Sequence, residues 1–201
     1  MKKWILAGCL AFSVSLAAET KVLALSGSTR SGSYNKKLVE EAADVARKMG
    51  ATVTVVDLKD FPMPFYDADL EKSKGMPENA KKLRNLMIKS DAIIIASPEY
   101  NGSVSGVLKN AIDWSSRSED GNGSRDAFLG KKFALMSASP SKSGGVQGLE
   151  HLQFIVERLG GEVVKKEVVV PEAHIAANGQ TALENPQIKQ DLQVEVQQLL
   201  R

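Results

Sequence analysis

The chain has 201 residues, 43% of them hydrophobic, 25% charged and 5% aromatic, with a single cysteine. That length suffices for one well-buried domain, and the composition excludes a disordered tail, a collagen-like repeat and a disulfide scaffold. The formal charge of +2, from 26 Lys and Arg against 24 Asp and Glu, traces to Lys2 and Lys3, so the rest of the chain is neutral and lacks the basic clustering of a nucleic-acid surface.

Residues 1–18 join that positive start to a short apolar stretch from Trp4 to Phe12 and end on the small residues Ser15-Leu16-Ala17-Ala18. This is the pattern of a secretory signal peptide cleaved near Ala17 or Ala18. It falls short of the roughly twenty apolar residues that a spanning helix needs. Leu6-Ala7-Gly8-Cys9 also resembles a lipoprotein box, but only two apolar residues would precede it within the leader. The reading predicts export to a bacterial periplasm with no stable membrane anchor, leaving residues 19–201 as the folded domain. An uncleaved leader on a cytoplasmic protein is the alternative.

Beyond the leader, short apolar runs alternate with segments of helical period. Lys21–Ser26 reads as a buried strand, followed by a helix over about 35–49 whose stripe is Leu38, Val39, Ala42, Val45, Ala46 and Met49. Thr52–Asp57 is the second strand, and 60–77, with Pro62, Pro64 and Pro77, reads as a loop. A helix over about 78–89 leads into Ala92–Ser97, the third strand. A third helix covers about 105–114, a polar Gly-rich loop 115–130, and Phe133–Ser137 the fourth strand. A helix over 146–159, a strand or pair of strands over 163–170 and a closing helix over 185–200 complete the chain. Five such units with nearly continuous apolar strands predict an α/β fold: a doubly wound five-stranded parallel sheet between two helical layers. The likeliest order is 2-1-3-4-5, with the ligand site beyond strands one and three.

Two loops fall at that switch point. Ser26-Gly27-Ser28-Thr29-Arg30-Ser31-Gly32-Ser33-Tyr34-Asn35 runs from strand to helix, rich in hydroxyls and small residues that can converge on an anion at a helix N-terminus. Arg30 adds a planar cation suited to phosphate. The spacing fits neither the dinucleotide fingerprint nor a Walker loop, and an ordinary capped turn shares the same composition. The second loop, Ser97-Pro98-Glu99-Tyr100-Asn101-Gly102-Ser103, offers a rigid Pro and an aromatic face for a flat heterocycle. It reads equally well as a plain strand–helix connection whose Trp114 fills the core.

Together, Gly-Ser-Thr-Arg-x-x-Ser-x-Asn and Ser-Pro-Glu-Tyr-Asn-Gly-Ser…Gly-Val-Leu-Lys-Asn-Ala-Ile-Asp-Trp resemble the NADPH-dependent FMN reductase family, over about residues 21–161. The resemblance implies a flavodoxin-like fold and a noncovalently held FMN that is reduced by NADPH or NADH. Carried across, Ser28, Arg30, Ser33 and Asn35 hold the FMN phosphate, helped by the amides of Thr29, Ser31 and Tyr34. Pro98, Glu99, Tyr100 and Asn101 border the isoalloxazine ring. Ser137, Ala138 and Ser139 match the family's third loop, closed off by Ser143-Gly144-Gly145. Many relatives carry Pro where this chain has Ser105, which can instead cap the following helix. The 117–130 loop is longer and more polar than in compact relatives.

The resemblance further implies a homodimer or homotetramer and ping-pong transfer to a small-molecule acceptor: a quinone, an azo compound, a metal oxyanion or free flavin. Because the cofactor carries the chemistry, no catalytic side chain and no metal is expected. His151 reads as a packing or interface residue and His174 as solvent-facing. Asp67, Asp69 and Glu71 read as a solvated loop, flanking a Pro62–Tyr66 stretch able to reach a neighbouring subunit's site. A flavodoxin-like electron carrier, or an FMN-binding protein that uses no nicotinamide, is the alternative.

Overall fold

Strands that are apolar at every position must be covered on both faces, and this chain supplies helices for each. The computed structural model describes residues 19–174 and 182–201; the expected leader, residues 1–18, lies outside the described residues. The central strands are β1 (Lys21–Ser26), β2 (Thr52–Asp57), β3 (Ala92–Ala96) and β6 (Lys132–Ala138), all parallel in the order β2-β1-β3-β6. Along β1, Val22 and Ala24 pack toward α1 (Tyr34–Lys48) and α6 (Pro186–Leu199). Leu23 and Leu25 pack on the opposite face against α3 (Glu78–Lys89), α4 (Gly106–Ser115) and α5 (Val146–Arg158). Each fully buried Leu or Ile of these layers stabilises the fold by about 1.5–3 kcal/mol.

The expected order holds, and its fifth position is a split strand. β7 (Glu162–Val163) pairs with the start of β6, and β8 (Val168–Val170) with its end. Between them the polar run Lys165-Lys166-Glu167 leaves the ladder, and the Lys166 amide donates to Gln198 Oε1 instead (3.0 Å).

Two elements go beyond the sequence-based reading. The proline-rich stretch read as a loop contains α2 (Ala68–Lys74), started by Asp67, whose carboxylate accepts from the amides of Asp69 and Leu70. The loop after β3 contains a small hairpin, β4 (Glu99–Tyr100) and β5 (Ser103–Val104). Its tip needs two left-handed residues, and Asn101 (φ 52°) and Gly102 (φ 72°) supply them.

Candidate functional site

Three loops leave the carboxyl ends of β1, β3 and β6 and meet in one open cleft. It is lined by Ser28, Arg30, Ser33, Tyr34, Asn35, Pro98, Glu99, Tyr100, Ala138, Ser139 and Pro140. A groove of about 480 Å³ between α2 and the 117–121 turn is larger than the cleft's enclosed part of about 160 Å³. Chemistry, not volume, distinguishes the two: only the cleft joins a long helix N-terminus to a flat apolar wall at the switch point of the sheet.

The first loop is organised by its own side chains. Ser26 Oγ accepts from the Ser28 amide (3.2 Å) and Ser28 Oγ from the Arg30 amide (3.3 Å). Ser33 caps α1 by accepting from the Lys36 amide (3.4 Å). That cap answers one of the helix's first-turn N–H groups, and the preceding ones belong to the cleft-lining Tyr34 and Asn35, without intrahelical partners. The Lys36 ammonium is held by Asp57 (2.5 Å). The Arg30 guanidinium forms no ion pair among the described residues and lines the cleft. A dianion fits here on three counts: helix dipole, unanswered amides and a planar cation.

Asn35 lines the cleft and has a structural task as well. It is 3% exposed, its Nδ2 donates to the Ala138 carbonyl (2.8 Å), and its Oδ1 accepts from the Ala138 amide (2.9 Å). One Nδ2 hydrogen and Oδ1 thereby tie the first loop to the third. Ser105 caps α4 as expected, accepting from the Leu108 amide (3.2 Å), and its hydroxyl also donates to the Gly27 carbonyl (2.5 Å). A side chain at Gly27 would meet Leu108 and Pro98 within 3.0–3.3 Å, so the first loop lies directly on the second.

At the other end of the cleft, Pro98 and the half-exposed Tyr100 (53%) form a flat wall facing Ala138, Ser139 and Pro140. Ser139 is held from below: its amide donates to the Val170 carbonyl of β8 (3.1 Å), and its carbonyl accepts from the Ala173 amide (2.9 Å).

Of the fourteen residues expected at the site, ten line this cleft. Thr29 and Asn101 do not. Ser31 opens on a neighbouring groove with Lys36, Lys37 and Lys59. Ser137 is fully buried, its Oγ beneath Gly145 and without a partner among the described residues. Pro140 was not anticipated, although it directly follows Ser139.

Away from the cleft, Glu71 is no solvated loop residue. It is 6% exposed and paired through both carboxylate oxygens with Arg117 (2.8–3.1 Å), and Tyr66 Oη donates to it (3.2 Å). Burial and the Glu71 hydrogen bond push the Tyr66 phenol up, while pairing with Glu71 pushes the Arg117 guanidinium up. Tyr66 packs edge-on against the buried Trp114, whose indole N–H donates to the Pro64 carbonyl (2.8 Å). This clasp fastens the proline-rich segment and the long 117–130 loop to α4. His151 lies in the second turn of α5, sharing a hydrogen bond with Ser103 Oγ (3.1 Å), and His174 is exposed.

Residues 20–175 match the family model for NADPH-dependent FMN reductases. An NAD(P)H-dependent FMN reductase of Pseudomonas aeruginosa is 33% identical over 185 residues, 92% of this chain and 95% of its own. A quinone reductase of Escherichia coli is 32% identical over 154 residues, 75% and 77% of the two chains. Among solved structures, the NAD(P)H:(acceptor) oxidoreductase FerB of Paracoccus denitrificans superposes with a TM-score of 0.72 at 25% identity. That match covers 90% of this chain and 97% of FerB.

Proposed function

The chain belongs to the NADPH-dependent FMN reductase family, and from that premise we propose that the three-loop cleft is its FMN seat and that a quinone is its electron acceptor. The protein is an oxidoreductase that uses FMN and NAD(P)H. One observation carries the placement: the unanswered first-turn amides of α1 and the unpaired Arg30 share a cleft with the flat Pro98–Tyr100 wall. A phosphate belongs at the first end and a planar ring at the second.

Bound there, FMN supplies the ring that takes up hydride and passes electrons on. The chain's own residues bind and orient it. Arg30, the Ser28 and Ser33 hydroxyls and the Tyr34 amide would hold the phosphate. Asn35 keeps the first and third loops at a fixed separation. Pro98, Tyr100, Ala138, Ser139 and Pro140 would border the ring. The quinone follows the naming of relatives as quinone reductases. We further propose a homodimer or homotetramer, and removal of residues 1–18 as an export leader, on the strength of the Lys2-Lys3 start and the small residues that end it.

The visible spectrum of the purified protein tests the seat: a yellow chromophore is expected, and a colourless preparation that takes up no added FMN overturns it. Anaerobic NADPH or NADH is expected to bleach the colour, and a quinone to restore it. Yellow protein that neither nucleotide bleaches would instead favour an electron carrier. N-terminal sequencing and sizing of the full-gene product test the leader and the oligomer.

A further inference from the structure

The hairpin that walls the ring end is too small to hold itself, since two strands of two residues are not stable alone. Its support comes from α5. This 13-residue helix starts at Gly145, held left-handed (φ 96°, ψ 25°), which has no side chain with which to cap it. The missing cap is supplied from 49 positions away: Glu99 Oε2 accepts from the Gly148 amide at 2.9 Å. A carboxylate on first-turn amides gains both a charge-assisted hydrogen bond and the helix dipole.

The helix surface is cut to admit it. A side chain at Gly148 would meet the Cβ, Cγ and Cα of Glu99 at 3.1–3.3 Å, so the glycine lets the hairpin backbone lie against the first turn. A second tie follows one residue-triplet along α5, where His151 Nδ1 and Ser103 Oγ are 3.1 Å apart. Between them Gly102 packs on the Gln147 amide, with a notional Cβ 3.1 Å from Oε1. The hairpin is clipped to α5 on one side and presents Tyr100 to the cleft on the other.

We propose that Glu99 is a positioning residue: its carboxylate caps α5 in trans and thereby fixes the hairpin, and Tyr100 with it, at the distance the flavin ring needs. Glu99 lines the cleft, while its carboxylate serves the helix. The assignment rests on the reading of the cleft as the FMN seat and adds to it what sets the ring wall.

Two readouts separate the cap from the seat: hydrogen exchange at the Gly148 amide in the FMN-free full chain, and FMN titration by fluorescence quenching. E99A is expected to speed Gly148 exchange by about tenfold or more and to weaken FMN binding about tenfold. E99Q, which keeps an acceptor without the charge, is expected to stay within about threefold on both. G148A, which presses on Glu99 Cα and Cβ from the helix side, is expected to weaken FMN as E99A does. Unchanged Gly148 exchange in E99A would overturn the cap. Full FMN affinity in E99A and G148A, or a loss in E99Q as large as in E99A, would overturn the positioning role. If the wild-type chain quenches no FMN, the seat fails, and with it the ring-positioning role, whereas the exchange result still decides the cap.

Discussion

The two ends of the cleft are built in opposite ways. At the phosphate end, Ser28, Ser33 and Asn35 are each at most 5% exposed, and their polar groups already serve neighbouring backbone. At the ring end, Tyr100 is 53% exposed on a minimal hairpin whose two tip residues are left-handed. The first end is a preorganised anchor, paid for by folding itself; the second is a wall whose position depends on a helix far away in sequence. Binding strength and ring geometry are thereby controlled from separate places, and substitutions at the two ends separate them.

The largest effect is expected where the two ends join. N35A leaves the amide and the carbonyl of Ala138 buried without partners, which costs about 3 kcal/mol of stability. Urea denaturation measures it. N35D is expected not to rescue, because its carboxylate would face the Ala138 carbonyl. A stability loss below about 1 kcal/mol would show that the loops are held together by something else.

The next effect is confined to the phosphate end. R30A removes one charge-assisted contact to a dianion, worth about 2 kcal/mol, or roughly thirtyfold in affinity. Comparing FMN with riboflavin isolates it: FMN binding is expected to weaken and riboflavin binding to stay the same. A loss shared equally by both ligands would move Arg30 from the phosphate to the ring.

The same contrast explains what was legible in the sequence. β1 and β3 were readable because uninterrupted runs such as Ile93-Ile94-Ile95 have few alternatives to a covered parallel strand. The first loop's place at the cleft was readable because hydroxyls and glycines just before a helix follow from local turn chemistry. The hairpin was not, since its two-residue strands carry no periodicity and its partners are Gly148 and His151 on a later helix. The tie from Asn35 to Ala138 was not legible because its partner is backbone 103 positions away, and backbone leaves no mark in a side-chain pattern. Glu71 looked solvated for a related reason, its Arg117 lying 46 positions on. For α2, the prolines Pro62, Pro64 and Pro77 around it argued for a loop.

Where α6 packs on β6 and β8 lies a third region that neither end uses. Glu195 of α6 is 0% exposed, and neither of its carboxylate oxygens has a hydrogen-bond partner among the described residues. Burial, reinforced by Glu167, holds its carboxyl well above the ordinary range, against the weaker pull of Lys166 and of the Leu135 and Val168 backbone. Lys166 is itself paired with Asp191 (2.9 Å). The folded chain therefore keeps a proton that the unfolded chain releases, so stability falls as pH rises above the ordinary glutamate value. The slope is up to about 1.4 kcal/mol per pH unit, until the buried carboxyl itself ionises. E195Q is expected to flatten that slope in melts between about pH 5 and pH 8 while leaving the FMN-to-riboflavin affinity ratio unchanged. An unaltered slope would mean that another group carries it.

The smallest effect belongs to the wall itself. With half of Tyr100 already in solvent, folding gains little from its ring, and Y100A is expected to change stability by less than about 0.5 kcal/mol. Ligand binding is where the ring contributes, since a flat partner covers the face that water now reaches. Losing that contact costs about 1 kcal/mol, or roughly fivefold. Because the ring end does not sense the phosphate, Y100A is expected to weaken FMN and riboflavin alike, the reverse of R30A, and Y100F to restore both. If Y100A instead widened the gap between the two ligands, the ring wall and the phosphate anchor would be one coupled structure, and the separation of strength from geometry would fail.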